Sequence, residues 1–259
     1  MAETAYGIQM YCVRDITEDS MRLALKRIAE MGYGSVEFAG FFDYTAEQIK
    51  LWLDTFGLTC YGTHTGMKSL TAETIEETIR YHKAIGCSRI TIPSASYSTA
   101  EKLNETIENM KTAHKRLAEE GIRLAYHNHS KEFFPNEDGL IFMDELLART
   151  EIPLQVDTFW LYNAGYDPVP YLEAHKARID AIHLKDGLIT APENRNFEHS
   201  QKGVIGKAVG EGEAPCKAVR AWAIQNRRPI VIESEGLDPT GLEEIGRCID
   251  YLHTLDEEA

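Results

Sequence analysis

Acidic residues and histidines stand at the ends of short apolar runs in this sequence. They are Glu37, His64, His127, His129, Asp157, His183 and Glu233. Carboxylate oxygens and imidazole nitrogens together suit a divalent ion such as Mn²⁺, Mg²⁺, Co²⁺ or Zn²⁺. Each residue alone has an ordinary structural explanation, such as a helix cap or a surface charge. Because an acid or a histidine ends each of the last four runs, the set predicts one metal centre.

The runs that carry these residues alternate with segments of helical periodicity, which predicts a parallel sheet. They read YGIQMYC, SVEF, LTCYG, RITI, RLAYH, LQVD, AIHL and PIVIE. Thr45, Ser98 and Thr240 each precede a Gln or Glu by three residues and predict helix starts, and Pro168 suits a first helical turn. Eight such β/α units predict a single (β/α)8 TIM barrel over residues 1–259. An open doubly wound sheet is the alternative, but no G-x-G-x-x-G motif follows the first run.

A TIM barrel builds its active site at the C-terminal ends of its strands, where the polar residues above would meet. His127 and His129 share one face of the fifth predicted strand, because they alternate across Asn128. One interval breaks the even spacing: residues 185–229, between strands seven and eight, form a long segment that contains several glycines. A long segment at this end of the barrel predicts a lid or a subunit contact.

The composition excludes several classes of partner. The formal net charge is −14, which repels nucleic acid and anionic membrane surfaces. No window approaches the ~18 apolar residues of a membrane span. The first residues lack the basic start and long apolar core of a signal peptide, so we expect a cytoplasmic location. The five cysteines form no C-x-x-C pair and are expected to be reduced.

These residues resemble the sugar phosphate isomerase/epimerase family of xylose-isomerase-like barrels. The matching stretches follow one another over nearly the whole chain: 34–37, 126–129, 131–133, 156–158, 163–165, 167–168, 182–186, 209–212 and 231–233. The resemblance implies one metal ion, with Mn²⁺ favoured, held by Glu, Asp, His and Glu from strands five to eight. Asp157, His183 and Glu233 match three of these ligands. We predict Glu132 as the fourth, with His127 and His129 as alternatives.

The resemblance also implies a sugar isomerase or epimerase that removes a proton from carbon and stabilises the resulting enediolate on the metal. Glu233 and Glu132 would flank the sugar from opposite sides, as removal and return of a proton on two faces requires. The predicted catalytic residues are Glu233, Glu132, His127 and Lys185. The predicted substrate-binding residues are Glu37, His64, His129 and Trp160, since an indole face packs well against a sugar ring.

Other outcomes use the same residues. A metal-stabilised carbanion also begins a β-elimination, as in an inosose dehydratase, or the cleavage of a keto-glycoside. A hydride shift needs a second metal site that the sequence does not offer, and an abasic-site endonuclease needs a basic surface. A non-catalytic sugar-binding subunit is the alternative from another class. The expected partner is a small sugar or sugar derivative, with a homo-oligomer or partner subunit left open.

Overall fold

Eight parallel strands close into a barrel in the computed structural model, which describes residues 5–258. The barrel strands are β1 (Gly7–Gln9), β2 (Ser35–Phe38), β3 (Thr59–His64), β4 (Arg89–Ile92), β5 (Arg123–His127), β6 (Leu154–Asp157), β7 (Ile179–Leu184) and β10 (Ile230–Ile232). Each strand pairs with its sequence neighbours in the barrel, and β1 closes the ring against β10. The predicted (β/α)8 architecture is therefore confirmed. Residues 1–4 and 259, which the predicted domain includes, lie outside the described residues.

Helices surround the barrel. They are α1 (Arg14–Glu30), α2 (Ala46–Phe56), α3 (Ile75–Ala84), α4 (Ala100–Glu119), α5 (Phe142–Arg149), α6 (Thr158–Asn163), α7 (Pro168–Ala174), α8 (Cys216–Gln225) and α9 (Gly241–Glu257). Thr45 forms the predicted capping box with Gln48, and Thr240 caps α9. The predicted start at Ser98 is wrong by one residue, because the Thr99 side chain accepts the hydrogen bond from the Lys102 N–H.

The strands separate an apolar layer from a polar barrel interior. On β6, Val156 belongs to the hydrophobic core, whereas its neighbours Gln155 and Asp157 are buried polar residues. The two-residue period of a strand puts Gln155 and Asp157 on the same face. The barrel thus points polar side chains toward its axis, and those at the strand ends lie closest to the mouth. Within residues 5–258, no helix is both long and apolar enough to cross a membrane.

The long segment between β7 and β10 is folded rather than a plain loop. It forms an antiparallel hairpin of β8 (Asp186–Ile189) and β9 (Val204–Lys207), followed by α8. Asp186 fixes its base, because the carboxylate accepts hydrogen bonds of 2.8–3.0 Å from four backbone N–H groups, those of residues 187, 210, 212 and 214. A side chain at Gly212 would collide with this carboxylate. The stretches 182–186 and 209–212, which are far apart in the sequence, are therefore joined at the base of this hairpin.

Candidate metal centre and active site

Four side chains meet at the C-terminal end of the barrel. His127, Asp157 and His183 lie on β5, β6 and β7, and Glu233 follows β10 directly. Because these strands are neighbours in the barrel, one donor atom from each residue lies within 4.8 Å of the others. All four side chains are buried, with at most 4% of Glu233 exposed. We refer to His127, Asp157, His183 and Glu233 as the central group.

His183 is held between two carboxylates. Its Nδ1 lies 2.7 Å from Glu233 Oε2, and its Nε2 lies 2.6 Å from Glu37 Oε2. Burial opposes the positive charge on the ring, but Glu37 and Glu233 together raise the pKa of His183 to about 10. With its Nδ1 deprotonated, His183 could help Glu233 to hold a divalent ion, and Glu37 would then orient the ring through Nε2, as acceptors of metal-bound histidines commonly do.

Asp157 serves two purposes with its two oxygens. Oδ1 accepts a hydrogen bond of 2.8 Å from the Trp160 N–H and caps α6. Asp157 is therefore a helix cap as well as a member of the central group. Oδ2 is buried and has no hydrogen-bond partner among the described residues. Burial, reinforced by the charge of Glu233 and opposed by Lys185, raises the pKa of Asp157 to about 8. An unpartnered buried carboxylate oxygen is costly unless it binds a cation.

His127 is likewise short of partners. Its Nδ1 is buried without a hydrogen bond among the described residues, and its Nε2 lies 3.9 Å from Glu233 Oε2. Burial, together with repulsion from His183 and His64, holds the pKa of His127 well below its usual range. The ring is therefore neutral at physiological pH, and the neutral form of imidazole is the one that binds metal ions.

Glu132, predicted as the fourth ligand, lies outside the central group. Its Oε1 accepts a hydrogen bond of 3.0 Å from the Tyr126 hydroxyl, and its Oε2 accepts one of 3.0 Å from the His129 N–H. Burial raises the pKa of Glu132, and these hydrogen bonds oppose the rise. The carboxylate thus fixes the turn that carries His129. At the end of β5 the structure brings His127 into the group, one of the alternatives that the sequence left open.

A lysine and an aromatic side chain border the central group. Lys185 is buried, pairs with Glu235, and lies with its Nζ 4.8 Å from the centre of the Trp160 ring. Burial lowers the pKa of Lys185, but Glu233, Glu235 and Asp157 outweigh it and raise the pKa above its ordinary value. The His129 ring lies 5.7 Å from Trp160. Burial lowers the pKa of His129 to about 4, against the opposing charge of Glu233.

Sequence reasoning missed two glutamines that build the back of the site. Gln9 and Gln155 donate hydrogen bonds of 2.8 Å and 2.7 Å to the two oxygens of Glu37. His64 Nε2 lies 2.9 Å from Gln155 Oε1 and 3.3 Å from Glu37 Oε2. Glu37, predicted to bind substrate, is thus enclosed by side chains of the protein, whereas His64 is partly exposed. The sequence does contain a signal for one of them: Gln155 lies two residues before Asp157 and therefore on the same face of the strand.

The segment between β8 and β9 contacts residues that follow β4, β5 and β6. Near its tip, Phe197 packs 5.9 Å from the Tyr97 ring and lies 4.1 Å from Lys131 Nζ. Asn163 donates a hydrogen bond of 2.6 Å to the Ser200 carbonyl and accepts one of 2.8 Å from Arg195. These contacts join the hairpin to the loops of three other strands. They agree with the predicted lid, which stays a prediction.

The four side chains of the central group suit a divalent ion. They offer two imidazoles and two carboxylates, and in the described part of the chain the buried Asp157 Oδ2 and His127 Nδ1 have no hydrogen-bond partner. Two carboxylates balance the charge of one divalent ion. Such a mixture of nitrogen and oxygen donors suits Mn²⁺, Co²⁺ or Zn²⁺ better than Mg²⁺, which prefers oxygen.

The chain also matches known proteins. The model of the xylose isomerase-like TIM barrel family matches residues 25–255. A protein named inosose dehydratase from Geobacillus kaustophilus is 23% identical over 186 residues. That alignment covers 62% of this chain, and the chain spans about 60% of the length of that relative.

Solved structures share the whole architecture. A sugar phosphate isomerase/epimerase from Parabacteroides distasonis superposes with a TM-score of 0.80 at 20% identity, over 96% of this chain and 98% of that one. A D-allulose 3-epimerase from a Methylomonas species superposes with a TM-score of 0.68 at 15% identity, over 97% and 98% of the two chains. At these identities the likeness concerns the fold.

Proposed function

This chain belongs to the xylose isomerase-like TIM barrel family, and on that premise we propose a divalent-metal-dependent enzyme that removes a proton from carbon next to a carbonyl group of a sugar. Isomerisation or epimerisation is the proposed outcome. The observation that carries the proposal is the central group, in which Asp157 Oδ2 and His127 Nδ1 are buried without hydrogen-bond partners among the described residues. The names of the relatives, which include isomerases, epimerases and a dehydratase of sugar-like molecules, support the substrate class.

The proposed ligands are His127, Asp157, His183 and Glu233. A divalent ion held there supplies electrophilic stabilisation of negative charge on the carbonyl oxygen of the substrate. Mn²⁺ remains the first choice, and the second imidazole makes Co²⁺ and Zn²⁺ close competitors. Glu37, through its hydrogen bond to His183 Nε2, is a positioning residue in this proposal.

The side chains of the protein provide the proton chemistry. Burial raises the pKa of Glu233, but Lys185 and His183 outweigh it and hold the pKa well below its ordinary value, so the carboxylate is ionised and is the proposed base. Lys185 is protonated at neutral pH and is placed to hold a negative charge or to donate a proton. Trp160 and His129 offer packing and hydrogen bonding to the sugar, and the hairpin from 186 to 207 is the proposed lid.

A lyase is the second candidate, and the position of Glu132 favours it. Epimerisation with two carboxylate bases needs one on each face of the sugar, but Glu132 has both oxygens engaged outside the central group. An elimination needs one base and one acid, and Glu233 and Lys185 fit these roles. The inosose dehydratase name of one relative supports the same reaction class.

A metal analysis combined with a substrate panel tests the proposed function. We expect the purified protein to contain about one divalent ion per chain and to convert at least one member of a panel of ketoses, inososes and keto-glycosides. Addition of a chelator should remove this activity, and Mn²⁺ should restore it. Protein grown with ample metal that contains none would contradict the proposal and would favour a non-catalytic sugar-binding protein.

The choice of the strand-five ligand gives a separate prediction. We expect His127→Ala to weaken Mn²⁺ binding at least about 100-fold, whereas Glu132→Gln should weaken it less than about tenfold, because Glu132 acts only through the His129 turn. Isothermal titration with Mn²⁺ measures both values, and a crystal structure of the loaded protein measures the distances. A metal within ~2.3 Å of a Glu132 oxygen and more than ~3 Å from His127 would restore the carboxylate assignment.

A further inference from the structure

A cavity of about 420 Å³ opens beside the central group. It lies between the loops that follow β2 and β3 and the first turns of α3, on the same end of the barrel as the proposed active site. Its volume lies within the range of small-molecule sites. Side chains of three kinds line it, among them the aromatic residues Phe41 and Tyr81, the hydroxyl-bearing Thr65 and Thr78, and the ionisable His64 and Glu77.

His64 joins this cavity to the central group. One face of the cavity is formed by His64, whose ring also stacks on His183 with centroids 5.1 Å apart and an interplanar angle of 18°. The same ring lies 4.8 Å from that of His127. A sugar bound at the central group would therefore meet His64, and a substituent on that side of the sugar would enter the cavity.

The aromatic wall of the cavity is held in place by the fold. Phe41 and Tyr81 have ring centroids 4.3 Å apart, and Phe41 also packs 5.3 Å from Phe38. The Tyr81 hydroxyl donates a hydrogen bond of 2.7 Å to the Tyr44 carbonyl. An aromatic ring held in place in this way can pack its face against the C–H face of a sugar ring.

The polar wall selects for hydroxyl groups and against anions. Glu77 is exposed in the first turn of α3, and within the described part of the chain it has no ion-pair partner. Residues 5–258 contribute no lysine or arginine to the lining of this cavity. A free carboxylate accepts hydrogen bonds from sugar hydroxyls, and it repels phosphate or carboxylate groups.

We propose that this cavity binds a second, uncharged sugar ring attached to the sugar at the central group. The substrate is then a glycoside of disaccharide size rather than a free or phosphorylated monosaccharide. This inference rests on the proposed function, which places the reacting sugar beside His64. Phe41 and Tyr81 stack on the second ring, and Glu77 accepts its hydroxyl protons.

Equilibrium binding tests the inference without requiring turnover. Isothermal titration of Mn²⁺-supplemented protein would compare glucose and glucose 6-phosphate with cellobiose, maltose and lactose, and with phenyl glucoside. We expect at least one disaccharide to bind roughly tenfold more tightly than glucose, a gain typical of one stacked and hydrogen-bonded ring. Glucose 6-phosphate should bind no better than glucose.

Matched variants locate the binding. Phe41→Leu and Glu77→Gln should each reduce the disaccharide gain to less than about threefold and leave glucose affinity unchanged. Tyr166→Leu and Glu101→Gln are the controls, since they alter an exposed aromatic residue and an exposed first-turn carboxylate elsewhere, and both should keep the gain. Because Glu77 is exposed, Glu77→Gln is expected to fold normally.

Three results would overturn the inference. In the first, no disaccharide binds more tightly than glucose. In the second, the tightest ligand is glucose 6-phosphate or phenyl glucoside, and in the third the gain in disaccharide affinity survives both cavity variants. The proposed function fails in a different way, through absence of metal or of carbon deprotonation. A protein that binds its ion and yet shows no disaccharide gain would therefore refute the cavity assignment alone.

Discussion

Replacing Asp157 by alanine is expected to abolish retention of the divalent ion. The variant removes a buried carboxylate oxygen that has no hydrogen-bond partner within residues 5–258, and it leaves His127, His183 and Glu233 as an incomplete set. His183→Ala should have the same effect, because its ring also links Glu233 to the network of Glu37. We expect each variant to weaken Mn²⁺ binding at least about 100-fold, measured by metal analysis after gel filtration and by titration.

Two further variants serve as comparisons for the loss of metal binding. Glu37→Gln changes a residue behind His183 and should weaken binding by about 10- to 100-fold, as expected for a group that orients a ligand. Asp180→Asn changes a buried carboxylate at the opposite end of β7, where Asp180 pairs with Arg89 and Arg123, and it should retain the ion. Unaltered metal content in both Asp157→Ala and His183→Ala would contradict the assigned centre.

Glu233→Gln is expected to cause the largest loss of turnover. The amide keeps the size of the side chain but cannot accept a proton, and it weakens the contact with His183 Nδ1. Loss of a general base typically costs 10²- to 10⁴-fold, and loss of a metal ligand adds to this, so we expect kcat to fall by roughly 1000-fold or more. Steady-state kinetics at saturating Mn²⁺ measures the effect.

Glu132→Gln is the matched control for this loss. It makes the same chemical change in another buried glutamate, whose oxygens bind Tyr126 and the His129 backbone rather than the central group. Its effect on kcat should be at least tenfold smaller than that of Glu233→Gln. Equal losses would show that both carboxylates take part in the chemistry, and would favour two-base epimerisation over elimination.

The sequence was sufficient for the barrel and for three members of the central group. Apolar runs that end in His, Asp or Glu mark strand ends, and consecutive barrel strands bring such ends together. The position of Asp157, His183 and Glu233 follows from the register of their strands, in which Asp157 pairs with His183 and Val231 pairs with His183. The alternation along each strand and the closure of the barrel determine where these three residues lie, so the conformation of the loops does not have to be known.

Glu132 lies beyond the reach of such reasoning. It follows β5 by a few residues in a 3-10 turn, and whether its carboxylate turns inward depends on the buried hydroxyl of Tyr126 and the N–H of His129. Both partners lie within six residues of Glu132 in the chain, but the backbone path of the loop after β5 brings them to the carboxylate, and the sequence pattern does not determine that path. The hairpin between β7 and β10 was equally hidden, because its position depends on Asp186 accepting hydrogen bonds from three backbone N–H groups that lie 24 to 28 residues further along the chain.

The mechanism predicts that hydrogen from the solvent enters the product. Wild-type protein, Mn²⁺ and a converted sugar in deuterated water should place deuterium at the deprotonated carbon, visible by proton NMR as the loss of one signal. The exchange should fall together with turnover in Glu233→Gln. If the product is an isomer or epimer, full turnover with no deuterium in it would contradict exchange of the abstracted proton with solvent, and would favour hydride transfer or a base that returns the same proton.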